Sequence, residues 1–170
     1  MTEQHAQIVK RLTDFHKKRP GTVAIALFGS LAKGTATAAS DVDLEVITAD
    51  ACTWSLEKSV QDGIAVDLVL CPHAHFSHQI RAFPFLSYDY LSMRCLFDPD
   101  GLFAQAQAEL SGYFAANPAV SAYWEDSLKK MAEKKRLGTH RMADIFEAYD
   151  QAERRFSEDG VIRRSFLRGA

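Results

Sequence analysis

The run Leu27-Phe28-Gly29-Ser30, followed by ten residues and then Asp41-Val42-Asp43, constrains this chain more than any other stretch. Thr22–Phe28 is apolar and rich in β-branched residues, and lies between Pro20-Gly21 and Gly29-Ser30, so it reads as a buried strand. Gly29–Lys33 reads as the first turn of a helix, and Gly34–Ser40 as a flexible loop of small residues. Asp41–Thr48 then forms a second strand. Strand side chains alternate faces, so Asp41 and Asp43 project to one side and Val42 and Leu44 to the other. Two carboxylates this close raise each other's pKa unless a cation lies between them. Paired hard oxygen ligands on a rigid strand suit Mg²⁺, which prefers one or two carboxylates together with substrate phosphates.

A third strand, Ile64–Cys71, repeats the theme. Ile64, Val66, Leu68 and Leu70 share one face, which leaves Asp67 on the other with Ala65 and Val69. An acid inside an apolar strand is costly to bury unless it is paired or bound to a metal. Gly29 removes a Cβ where a phosphate must approach the backbone, Ser30 adds a hydroxyl, and the helix starting there offers unpaired N–H groups to an anion. Asp41 and Asp43 would hold the metal bridging nucleotide phosphates, and Asp67 would ligate a second metal or act as base. Two metals clamp the attacking and leaving oxygens of a displacement at phosphorus. Lys33 and Ser40 are further candidates to contact the nucleotide.

The remaining chain reads mostly as packing. Residues 3–19 form a helix with Ile8, Leu12 and Phe15 inward, and residues 52–61 fit a second helix with Trp54 and Leu56 as core candidates. Asp62-Gly63 is a turn. A helix around Phe76–Ala82 stops before Pro84, Phe85–Met93 carries no clear period, and Arg94–Phe97 is a fourth strand. Asp100 can cap a helix from Gly101 to about Ala116 that turns Phe103, Ala106, Leu110 and Phe114 inward. Asn117-Pro118 opens another, striped by Trp124, Leu128 and Met131, and a last helix carries Ile145, Tyr149, Ala152 and Phe156. The tail Arg163–Arg168 is charge-rich. The fold class is α+β: a small mixed sheet flanked by helices over residues 1–98, then a helical region over 99–170.

Composition narrows the function classes. A net charge of −2 over 170 residues gives no electrostatic footing for duplex nucleic acid. No apolar run approaches the roughly 20 residues that cross a bilayer, and the polar N-terminus lacks the apolar region of a signal peptide. Cys52, Cys71 and Cys95 are odd in number and widely spaced, and read as reduced, mostly buried thiols of a cytoplasmic protein. His73, His75 and His78 cluster after the third strand, but a zinc site would need a fourth ligand.

The motif LFGS, ten residues, DVDL, then VDL around Asp67 resembles the DNA polymerase β-like nucleotidyltransferase superfamily, whose pattern is hG[GS]-x(9–13)-Dh[DE]h followed by hDh. The resemblance covers residues 22–70, and Leu96–Gly101 also looks like bacterial members with small-molecule substrates. It implies Mg²⁺-dependent transfer of a nucleoside monophosphate, expected to be AMP from ATP, with pyrophosphate released. By position, Gly29 and Ser30 would hold the triphosphate, and Asp41, Asp43 and Asp67 would bind one or two Mg²⁺ ions. The acceptor would be a hydroxyl of a small molecule, with Glu125 or Glu133 as candidate bases. Two alternatives are an antitoxin-type enzyme that adenylylates a partner toxin, and a nucleotide-binding or partner-binding module without turnover. A homodimer is compatible with either.

Overall fold

The computed structural model describes residues 1–49 and 53–157. Helix α1 spans Glu3–His16 and strand β1 spans Thr22–Phe28. A single helical turn, α2 (Gly29–Ala32), follows, and then β2 (Val42–Thr48), β3 (Ser55–Gln61) and β4 (Ile64–Pro72). Helix α3 (His73–Ala82) and two short 3-10 helices, Pro84–Leu86 and Tyr88–Ser92, lead to β5 (Arg94–Phe97). Helices α4 (Leu102–Ala116), α5 (Pro118–Arg136) and α6 (Met142–Phe156) complete the described chain. The architecture is mixed α+β, as the sequence implies.

The five strands form one sheet in the order β3-β4-β2-β1-β5. Only β2 and β4 run parallel; β1 pairs antiparallel with β2 and β5, and β3 antiparallel with β4. The strand alternation sorts residues between two cores. On one face Ile25, Leu27, Val42, Leu44, Val46, Val66 and Leu68 pack with Ile8 and Val9 of α1. On the other, Ala24, Ala26, Ile47 and Cys71 meet Phe76, Phe103, Leu110, Trp124, Ala148 and Ala152 from the later helices. The alanines of β1 keep that face low, which lets aromatic side chains pack closely against it. Asp43 and Glu45 share the parity of Ile47, and Asp67 that of Cys71. The carboxylates therefore belong to the face covered by the C-terminal helices.

The segment expected to be a helix over 52–61 is a strand from Ser55 onward. Asp62 and Gly63 have φ of 51° and 80°, and Gln61 pairs with Ile64, so they form a two-residue hairpin of the type that matches strand twist. The hairpin satisfies the ladder of β4, and helix propensity in a short segment loses to that pairing. Trp54 packs against the core, whereas Leu56 is exposed. Phe15 is exposed as well, because the inward stripe of α1 is His5, Ile8, Val9, Leu12 and His16 rather than the spacing through Phe15.

Helix α4 is capped from an unexpected residue. Gly101 is its N-cap without a side-chain bond, and Asp98 rather than Asp100 accepts the Ala104 N–H at 3.0 Å. Pro118 does open α5, but the Asn117 amide donates backward to the Tyr113 carbonyl, closing α4. Cys71 is buried and Cys95 exposed. Cys52 and the basic tail lie outside the described residues.

Candidate active site

The parallel pairing of β2 with β4 sets Asp43 beside Asp67 in register, and the antiparallel pairing of β3 with β4 sets Lys58 beside Asp67. On the opposite side, Phe28 pairs with Asp43. One row across the sheet thus reads Lys58, Asp67, Asp43, Phe28, with strands spaced by about 4.8 Å. Asp41 lies one residue before β2, exposed, two positions from Asp43 and acting on it. Sequence periodicity implies that the three acids share a face, and the register supplies the neighbour relation between strands.

Gly29 follows Phe28 directly and closes this row. Its φ is +69°, and a Cβ there would fall 2.0 Å from an Asp43 carboxylate oxygen. Glycine at this position therefore answers two needs: a left-handed backbone and close approach of the loop to the carboxylate. Ser30 follows in α2, whose first N–H groups have no helical partner. Ser40 is bound into its own loop, with its hydroxyl accepting the Thr37 N–H at 2.9 Å and its carbonyl 2.9 Å from Nε2 of the buried His5. Lys33 ends α2, and its ammonium lies 3.5 Å from the Asp89 carboxylate.

Electrostatically the acids form an anionic set short of positive charge. Burial, then Asp41, then Asp67 push the Asp43 carboxyl up to about 6, against the pull of Lys135 and Lys58. Lys58 Nζ lies 2.9 Å from Asp67 Oδ2. Among the described residues no three His, Cys, Asp or Glu side chains close into a metal-binding group; Asp67 is instead paired with the lysine. The donor chemistry nevertheless suits Mg²⁺: hard carboxylate oxygens, mutual repulsion for a cation to relieve, and a loop without a Cβ where phosphates would enter. Asp41, Asp43 and Asp67 would hold the ion.

Two residues that act on these carboxylates are absent from the sequence reading. Lys58 lies in the segment expected to be helical, where the only strand signal is the Asp62-Gly63 turn that closes the hairpin. Lys135, in the last turn of α5, acts on Asp43 from the helical half, and only tertiary structure reveals it. Further along the carboxylate face, Glu45 is buried and accepts the Tyr90 hydroxyl at 3.0 Å; burial drives it up to about 7. His73, His75 and His78 lie along α3. Glu133 is paired with Arg136 at 2.6 Å, and Glu125 accepts the Tyr88 hydroxyl at 3.4 Å.

Residues 6–87 match the model of the nucleotidyltransferase domain family. Two solved structures resemble the chain. A nucleotidyltransferase-like protein from Exiguobacterium sibiricum 255-15 aligns at 16% identity and a TM-score of 0.48, covering 88% of this chain and 53% of its own. A toxin-antitoxin structure with AMP-PNP aligns at 21% identity and a TM-score of 0.40, covering 73% of this chain and 98% of its own. The chain thus spans about half the length of the first of these. Comparison with the curated proteins found no match.

Proposed function

We propose that the protein, whose residues 6–87 match the nucleotidyltransferase domain family, moves a nucleoside monophosphate, expected to be AMP, from an NTP to a hydroxyl of a small molecule, releasing pyrophosphate. The observation that carries the reading is the in-register pair Asp43 and Asp67, beside Asp41 and abutting Gly29. Gly29 and the N-terminal turn of α2 with Ser30 receive the triphosphate, and Lys33 and Ser40 border it. Mg²⁺ at Asp41, Asp43 and Asp67 would supply charge neutralisation at the phosphates. The chain's own contribution is to hold three carboxylates in place, to present backbone N–H groups to the phosphates, and to keep the site beneath the C-terminal helices.

Residues 1–98 would serve the nucleotide and residues 99–170, with the preceding 3-10 helix, the acceptor. Tyr88 and Glu125 are hydrogen-bonded, and the neighbouring Asp89 contacts Lys33 at the end of α2. These polar groups lie next to the phosphate loop and would recognise a cationic, hydroxylated acceptor. The test is release of pyrophosphate from labelled NTPs with Mg²⁺ across a panel of small hydroxylated amines. Wild type is expected to turn over at least one acceptor, and Asp43→Ala to lose that turnover by at least about a thousandfold. Equal Mg²⁺-nucleotide binding by wild type and Asp43→Ala would overturn the reading.

A further inference from the structure

Lys58 occupies the place beside Asp67 that a cation ligand set requires. It projects from edge strand β3, in register with Asp67, and its ammonium lies 2.9 Å from Asp67 Oδ2. The lysine is more than half exposed and carries no other ion pair among the described residues, so it can leave Asp67 without breaking the fold. Asp67 in turn neighbours Asp43, where two further acids compete for positive charge. The row Lys58, Asp67, Asp43 therefore holds a paired cation at one end of the carboxylate set, while Asp43 at its centre has no ion pair among the described residues and feels only the longer-range pull of Lys135 and Lys58.

We propose that Lys58 is a displaceable counter-ion that gates metal entry at Asp67 and then serves the incoming phosphates. Without nucleotide the ammonium competes with a divalent ion for Asp67 and repels it. A metal that arrives with polyphosphate comes as a complex that is still net negative, so the displaced ammonium gains a new anionic partner on the same sheet face. The bare ion is thereby disfavoured and the metal–polyphosphate pair favoured. This rests on the metal-site reading above. Lys58 acts as a positioning residue, and no bond is made or broken through it.

The discriminating observation is a pair of affinities that move in opposite directions. Mn²⁺ binding to the intact protein is measured by electron paramagnetic resonance, first with the metal alone and then with inorganic tripolyphosphate, which removes base preference from the readout. Lys58→Gln is expected to bind bare Mn²⁺ about threefold to fivefold more tightly, a size set by loss of one exposed ion pair. The same variant is expected to bind Mn²⁺–tripolyphosphate about threefold to tenfold more weakly, and Lys58→Arg to resemble wild type in both. Unchanged affinities in Lys58→Gln, or a loss in both, overturn the proposal. Asp43→Asn separates the two levels of inference. If it abolishes Mn²⁺ binding while Lys58→Gln changes nothing, only the role of Lys58 fails; if it leaves Mn²⁺ binding intact, the metal site itself fails.

Discussion

Gly29 adopts φ +69° with its absent Cβ 2.0 Å from an Asp43 oxygen, so a single methyl group tests the site's closest approach. Gly29→Ala is expected to lose about 1–2 kcal/mol of stability from the left-handed backbone alone. It should also displace the Asp43 carboxylate, weakening Mn²⁺–nucleotide binding by at least about tenfold. Thermal unfolding and calorimetric titration measure the two effects separately; a stable variant with unchanged affinity would show that the loop is not a phosphate cradle. Asp43 itself predicts a pH profile. Metal binds the deprotonated carboxylate, and this carboxyl is pushed up to about 6 by burial and by Asp41 and Asp67. Mn²⁺ affinity should be flat above pH 6 and fall about tenfold per pH unit below it. An affinity independent of pH between 5 and 6 would place the metal elsewhere.

At the level of elements, legibility followed the strength of local signals. β1 and β5 have the bounds that their apolar runs and flanking breakers imply, and β2 differs by one residue. β3 was opaque because its side chains Leu56, Lys58 and Val60 are exposed, so no buried stripe marks it. Its pairing partner defines it, and the site consequence, Lys58 on Asp67, was invisible with it. Asp41, Asp43 and Asp67 could be read from alternation, but their side-by-side placement depends on a parallel register between strands separated by a hairpin. β2 also carries a strain that sequence did not announce. Glu45 is buried under Tyr90 and shifted up to about 7 from an unfolded value near 4.5. A raised folded pKa adds stability below pH 4.5 that is lost as pH rises through 7. In metal-free buffer Glu45→Gln, which still accepts from Tyr90, should match wild type at pH 5. At pH 8.5 it should be more stable by about 2–3 kcal/mol, read as a higher Tm. Parallel Tm curves for the two proteins across this range would contradict the buried charge.

Across the whole molecule, the two faces of the sheet divide labour. α1 seals one face, and the helices after β4 cover the face that bears the carboxylates. Trp124, fully buried, ties α5 to the 3-10 segment by donating its ring N–H to the Phe85 carbonyl, and α6 packs onto α5 through Tyr123 and Tyr149. The helical part is therefore fixed relative to the sheet, and Lys135 is delivered from its far end to within electrostatic reach of Asp43. Under the proposed function, this arrangement would assign acceptor recognition to the helical side and nucleotide recognition to the sheet side. Glu125 lies on the helical side of that division, hydrogen-bonded only to Tyr88 among its described partners. Glu125→Gln keeps the shape and removes the charge. If the acceptor is cationic, its KM should rise by about tenfold, the worth of one charge-assisted hydrogen bond, while nucleotide affinity stays within about twofold of wild type. Steady-state kinetics with acceptor varied at saturating nucleotide, alongside nucleotide titration without acceptor, separates the two constants. A rise in nucleotide Kd with no change in acceptor KM would move Glu125 to the nucleotide half and leave the helical wall without a recognition role.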